Sequence, residues 1–197
     1  NVTVENYGGM YIYTDGATSP VAGIYAAANG DGNVLVTNDG GLTIDTDGAS
    51  SGVNAVTALA QGAGNVYVDN DGGITISTDG VTSPVAGINA HAYGDGYTTV
   101  YSEGGLTIDT YGDASGVTGI LAQTEGAGYV GVYLYGYVDL STAGASSPVT
   151  GVLAIANGSG DVTVDNNGGM GITTDGATSS VAGILAEANG DGNVSVT

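Results

Sequence analysis

Carboxylates are the most frequent chemically active side chains in this chain, and several recur at intervals of 32 residues. Two sets share a block position: Asp39, Asp71 and Glu103, and Asp15, Asp47 and Asp79. Oxygen ligands supplied by turns suit Ca²⁺, which takes about six to eight oxygens. Neither the calcium repeat GGxGxDxUx nor an EF-hand loop is present. The acidic columns are therefore compatible with two interpretations, a calcium site or a solvated acidic surface. Ca²⁺ is the one cofactor that the sequence suggests.

Tyrosines are concentrated in residues 97–137, mostly where other blocks carry Asp, Asn or Thr. The candidates for binding a partner are Tyr97, Tyr101, Tyr129, Tyr133, Tyr135 and Tyr137, with Tyr111 nearby. Exposed tyrosines offer apolar area with a polar tip and could contact a glycan or a cell-surface protein. Stacking between strands, which stiffens a sheet, is the alternative.

A third candidate surface is a column of large side chains predicted to point outward. It holds Tyr25, Leu121, Leu153 and Leu185, with Leu59 and Ile155 two positions further along their strands. Exposed leucine in a row is unfavourable for an isolated monomer. Lateral packing against another rod would cover this row. The alternatives are an additional loop that covers it, or a strand phase opposite to the predicted one, which would turn these side chains inward.

Catalytic chemistry is poorly supported. His91 is the one candidate base besides the carboxylates, and no Ser or Asp partner recurs near it. A carboxylate pair can hydrolyse glycosidic bonds, but an array of regular repeats without insertions offers no cleft. We therefore expect no enzymatic activity.

The charge of the chain excludes several classes of partner. It has 197 residues, no Lys, Arg or Cys, and a formal net charge of −20. Binding to nucleic acid or to anionic lipid needs a basic face. Without cysteine there is no disulfide or zinc-thiolate site. No long apolar run or basic leader is present, so we expect no direct membrane insertion. Because the chain begins at Asn1 and not at Met, we expect it to be processed or excised.

The elements that must position these residues follow from an uninterrupted 32-residue period. The blocks are 1–32, 33–64, 65–96, 97–128, 129–160 and 161–192, with a partial block at 193–197. Within each block, three runs alternate apolar and polar residues, as half-buried strands do. Stacking the blocks buries one face of every strand. The sequence therefore predicts one all-β domain over residues 1–197, a parallel β-solenoid of six coils with three short strands per coil.

Three further expectations concern single columns of the solenoid. Columns represented by Val4, Ile12 and Val21 should face the lumen. Asn6, Asn38, Asn70 and Asn166 share a column that should form a hydrogen-bonded ladder, broken in the fourth and fifth coils by Ser102 and Leu134. The threonine column that begins at Thr14 should form a ladder in the same way. The turns NYGG, TDGATSP and NGDG should owe their glycines to φ > 0 or tight-turn geometry.

The segments at 32–48 (GNVLVTNDGGLTIDTDG) and 116–132 (GVTGILAQTEGAGYVGV) resemble repeats in bacterial autotransporter passenger regions and large surface adhesins. The resemblance covers the whole chain and implies a right-handed β-helix on a cell surface. It implies a structural shaft of an extracellular adhesin or filament that associates with itself end to end or laterally. Binding of a glycan or protein through the tyrosines is the alternative function.

Overall fold

Alternation of β-branched residues with polar residues, interrupted by glycine, produces a structure made only of strands and turns. The computed structural model describes residues 1–197, and every coil contains two strands of five residues followed by one of eight. The strands are β1 Val2–Asn6, β2 Met10–Thr14, β3 Val21–Ala28, β4 Val34–Asn38, β5 Leu42–Thr46, β6 Val53–Ala60, β7 Val66–Asn70, β8 Ile74–Thr78, β9 Val85–Ala92, β10 Thr98–Ser102, β11 Leu106–Thr110, β12 Val117–Thr124, β13 Val130–Leu134, β14 Val138–Thr142, β15 Val149–Ala156, β16 Val162–Asn166, β17 Met170–Thr174, β18 Val181–Ala188 and β19 Val194–Val196.

Each strand pairs in parallel with the strand 32 residues away. The first strands of the coils form a sheet in the order β1-β4-β7-β10-β13-β16-β19, and the second and third strands form two six-stranded sheets. The register places Val4 beside Val36 and Ile12 beside Ile44. The predicted parallel β-solenoid of 32-residue coils is confirmed.

The lumen is filled by Val, Ile, Leu and Ala side chains that form one continuous core. Val36, Ile44 and Val53 of the second coil are fully buried, as are their equivalents in the third to fifth coils. The three predicted inward columns are therefore correct. In the first coil all three positions are only partly buried, and in the last coil Ile172 is partly buried and Val181 is exposed, whereas Val164 is fully buried.

In the third strands of the inner coils the alternation of inward and outward side chains changes phase. In β12, Gly119 and Ile120 are both buried, whereas Thr118 and Leu121 lie on the outside. A Cβ at Gly87, the same position of β9, would lie 2.8 Å from a methyl group of Leu106. The phase change needs a small residue because a side chain of the second strand of the next coil packs against it.

The glycines of the turns serve inter-coil stacking, so the expectation that they supply φ > 0 is wrong. Among all glycines only Gly169 has a left-handed φ, of 85°. A Cβ on Gly72 would overlap the carbonyl group of Gly40, and one on Gly104 would overlap that of Gly72. The left-handed residues are instead Thr18, Ser50, Thr82, Ala114, Ser146 and Thr178, with φ between 55° and 64°.

The asparagine ladder forms in the first coils. Asn6 Nδ2 donates to Asn38 Oδ1 at 2.7 Å, Asn38 Nδ2 donates to Asn70 Oδ1 at 2.7 Å, and Asn70 Nδ2 donates to Ser102 Oγ at 3.2 Å. Leu134 ends it, and Asn166 Oδ1 is buried without a partner.

The threonine column forms no ladder, which contradicts the sequence-based expectation. The Oγ1 atoms of Thr46, Thr78, Thr110 and Thr142 are buried and have no hydrogen-bond partner. A hydroxyl has a single donor and a short reach. A serine column that was not predicted is bonded instead: Ser83 N–H donates to Ser115 Oγ at 3.1 Å, and Ser115 Oγ donates to the Gly80 carbonyl at 3.0 Å.

Candidate interaction surfaces

The predicted calcium ligands lie on the outside of two turns. Asp39, Asp71 and Glu103 follow the first strands, Asp15, Asp47 and Asp79 follow the second strands, and all six are exposed. No group of three or more His, Asp or Glu side chains in the structure is arranged to hold a metal ion. Calcium binding stays a prediction that rests on the sequence alone.

Crowding of carboxylates changes their acidity along the first sheet. Desolvation raises the pKa of Asp69 above its usual value, and the charges of Asp71, Glu103 and Asp39 raise it further. On the second sheet, desolvation and then the charge of Asp139 raise the pKa of Asp109. Both carboxylates bind a proton more readily in the folded chain than in an unfolded one.

Some carboxylates instead cap backbone N–H groups of the following coil. Asp31 Oδ1 accepts from Ala63 N–H at 3.1 Å, and Asp95 Oδ1 accepts from Ala127 N–H at 3.1 Å. These contacts were not predicted. The signal was present, since Asp and Ala alternate at this position over the first four coils.

The candidate tyrosines of the first sheet stack on one another across coils. The rings of Tyr97 and Tyr129 are 5.0 Å apart and 9° from parallel, and those of Tyr101 and Tyr133 are 4.7 Å apart and 14° from parallel. Tyr67, which was not a candidate, packs at 5.5 Å against Tyr101. The structure thus brings four of the six predicted tyrosines into stacked pairs on one sheet.

Stacking limits what these tyrosines can bind. Each paired ring uses one face on its neighbour, so that at most one face of each ring is left for a sugar to stack on. Tyr135 and Tyr137 lie at the next turn, 48% and 54% exposed, and stack on no other ring. Glycan or protein binding through the tyrosines stays a prediction.

His91 belongs to a polar network on the outer face of the third sheet. Its Nε2 lies 3.0 Å from Glu125 Oε1, which also accepts from Gln123 Nε2 at 2.7 Å. Asn157 Nδ2 donates to Glu125 Oε2 at 2.9 Å, and the Tyr93 ring stacks on the imidazole at 3.8 Å. Burial lowers the pKa of His91 more than Glu125 raises it. The network contains a weak base but no hydroxyl nucleophile bonded to it.

The predicted lateral column does point outward. Tyr25 is 61% exposed and Leu185 is 41% exposed, whereas Leu121 and Leu153 are half-buried. The register places Leu121 beside Leu153 and Leu153 beside Leu185. Beside this leucine row runs a groove of about 500 Å³, lined in part by Pro84, Pro148, Val117, Thr118 and Thr150.

Both ends of the apolar lumen are open. At the carboxyl-terminal end, Val181, Val194 and Val196 are 52%, 47% and 52% exposed. A cavity of about 430 Å³ lies at this end, lined by Asn166, Met170, Ile172, Val181, Gly183 and Ile184. At the other end Val2, Val4, Met10, Ile12 and Val21 are only partly buried.

Comparison with protein-family models, with curated proteins and with solved structures found no match to this chain. The structure contains no helix of the length and apolar character needed to cross a membrane. Interpretation of the surfaces therefore rests on their geometry and charge.

Proposed function

We propose that this chain is a structural unit of an extracellular adhesin or filament, a stiff shaft whose coils stack end to end with a second copy. The observation that carries the proposal is the parallel register that every coil repeats around one continuous apolar core. Exposed strand edges pair readily with other strands. Because every coil repeats the same register, the two ends are complementary to each other.

Backbone polarity makes the two ends fit in one direction only. The N–H of Met10 donates to the Gly41 carbonyl at 2.8 Å, and that of Leu42 donates to the Gly73 carbonyl at 2.9 Å, so at this position each coil donates toward the next one. By the same pattern the N–H groups of Met170 and Val181 point out of the last coil. The first coil of a second copy offers the matching carbonyls.

One element stands in the way of this stacking. The three-residue strand β19 pairs with β16 where the β1 strand of an incoming copy would lie. We expect the incoming five-residue strand to displace it, because the same register then continues over all three sheets. The edge strands β17 and β18 would then be paired with strands of the second copy.

Composition supports a role outside the cell. A chain without Lys or Arg offers no site to proteases of trypsin type. Regular hydrogen bonding between coils leaves little backbone free for cleavage. A shaft exposed to digestive proteases would benefit from both properties.

The proposal is tested by placing a positive charge inside the open end. Ile172→Lys puts an inward ammonium at the edge strand β17, a device that prevents edge pairing. Thr173→Lys, on the exposed side of the same strand, adds the same charge and is the matched control. We expect the wild-type chain and Thr173→Lys to form fibres by electron microscopy and Ile172→Lys to form none.

Circular dichroism and thermal melting establish that both variants are folded. A wild-type chain that stays monomeric at every concentration contradicts the proposal. Fibres of equal length from folded Ile172→Lys contradict it as well.

A further inference from the structure

We infer that two copies of this solenoid pack side by side through the outer faces of their third sheets, formed by β3, β6, β9, β12, β15 and β18. This contact goes beyond end-to-end stacking, and it can form whether or not the shaft elongates. Three properties of this face support it: charge, area and the matching of side chains.

Charge distinguishes the third sheet from the other two. Among the 20 acidic residues of the chain, Glu187 alone lies on a third strand, in the last coil, and Glu125 lies one residue beyond β12 at the edge of this face, where its carboxylate bonds to His91, Gln123 and Asn157. The first strands carry an acidic residue in three coils and the second strands also in three, for example Asp69 and Asp109. With no Lys or Arg to neutralise carboxylates across a contact, two copies meet with least repulsion through the third sheet.

Area favours the same face. A strand of eight residues is about 26 Å long, and six strands extend about 29 Å along the solenoid axis. Two such faces cover about 1,500 Å², close to the roughly 1,600 Å² of a stable protein interface. The faces with five-residue strands supply only about 960 Å² for a pair, which is typical of weak contacts.

Side-chain matching sets the orientation of the two rods. When the rods are parallel, each coil meets the same coil of the other copy, so that the leucine row meets the leucine row. When they are antiparallel over their full length, Leu153 meets Thr57 and Leu121 meets Asn89. Apolar contacts are made with apolar partners in the parallel arrangement, which we therefore propose.

The groove beside the leucine row gives this face a depression next to a projecting row of side chains. Its walls include the rings of Pro84 and Pro148 and the side chain of Leu121. A projecting row beside a groove allows side chains of two identical faces to interdigitate. Such packing covers apolar area that an isolated rod leaves in water.

The first experiment adds one carboxylate to the face. Leu153→Glu places a new charge within the leucine row, whereas Thr75→Glu places one on the exposed second sheet as the control. Sedimentation should show a wild-type dimer that tightens with salt, because salt screens the remaining repulsion. We expect Leu153→Glu to raise the dimer dissociation constant at least about tenfold and Thr75→Glu to leave it unchanged.

Repeating the measurement in the Ile172→Lys background separates this inference from end-to-end stacking. A dimer that persists there while fibres are lost supports lateral pairing alone. A wild-type chain or an Ile172→Lys variant that shows no dimer at any salt concentration overturns the inference. An equal effect of the two glutamate variants overturns it too.

The second experiment tests the orientation and uses the absence of native cysteine. Tyr25→Cys lies in the leucine column of the first coil, and Tyr11→Cys lies on the second sheet of that coil. Parallel rods bring position 25 of one copy close to position 25 of the other, so a short thiol crosslinker should join copies of Tyr25→Cys and not of Tyr11→Cys. Absence of crosslinked Tyr25→Cys dimer under dimer-forming conditions overturns the parallel arrangement.

Discussion

In this solenoid, the contribution of a single residue to stability depends on the residue at the same position one coil away. Asn38 is fully buried, accepts from Asn6 and donates to Asn70, so both polar ends of its amide are used. Asn166 occupies the same position beside Leu134, and its Oδ1 is buried without a partner. The same residue type therefore contributes in opposite directions at two equivalent positions.

We predict that Asn38→Leu and Asn166→Leu shift stability in opposite directions. Asn38→Leu leaves the amide donor of Asn6 and the amide acceptor of Asn70 without partners. It should lower the free energy of unfolding by about 2 kcal/mol. Asn166→Leu removes an unpaired amide oxygen and extends the contact with Leu134, with an expected gain of about 1 kcal/mol. Chemical denaturation measures both, and destabilisation of similar size in the two variants would contradict the ladder explanation.

At the scale of the element, the turns limit how closely the coils can stack. Glycine recurs there because the backbone of one coil lies against the carbonyl group of the coil before it, as at Gly72 over Gly40. Adjacent Gly73 faces open space, with its nearest neighbouring atom 3.9 Å from a built Cβ. Two consecutive glycines of one turn thus have different physical roles.

A matched pair of alanine substitutions tests this difference. Gly72→Ala forces the coils apart or distorts the turn, and we expect it to cost about 3 kcal/mol. Gly73→Ala meets no close atom and has no left-handed φ, so we expect a change within about 0.5 kcal/mol. Melting temperatures of the two variants provide the measurement. Equal losses would show that the turn needs glycine for backbone conformation.

The whole molecule is a polyanion of formal net charge −20, with no Lys or Arg side chain to compensate its carboxylates. Its sequence pI is about 4.1, so repulsion among carboxylates opposes both folding and association near neutral pH. Asp69 and Asp109 have pKa values raised by folding. Such groups favour the folded state below the unfolded pKa, and the benefit is lost as pH rises through the folded pKa.

We therefore predict that the melting temperature rises as pH falls from neutral toward the ordinary aspartate value of 3.8, because these two carboxylates gain their protons above that value in the folded chain. His91 acts in the opposite direction, because its lowered pKa removes stability as pH falls below about 6.5. His91→Gln removes that contribution and should show the rise more clearly. High salt should reduce the effect, and a melting temperature that falls steadily over this range in His91→Gln would contradict the prediction.

Much of the architecture was contained in the sequence. Because a solenoid repeats along one axis, the 32-residue period states directly which residues are neighbours, and alternation states which of them face inward. The asparagine ladder follows from these two facts alone. The outward position of Leu121, Leu153 and Leu185 follows as well.

What the tertiary structure decided is how closely and at what angle equivalent residues meet. Threonine and serine columns look alike in the sequence, yet the Thr110 hydroxyl has no partner while Ser115 bonds to two neighbouring coils. The glycine columns were assigned to turn conformation because a sequence does not show the carbonyl group of the preceding coil. The sequence left open whether Tyr97 and Tyr129 contact a partner or stack between coils, and only the coil spacing decides that the two rings stack on each other. A period identifies the neighbour of each residue, but contact distances arise only when all coils pack together.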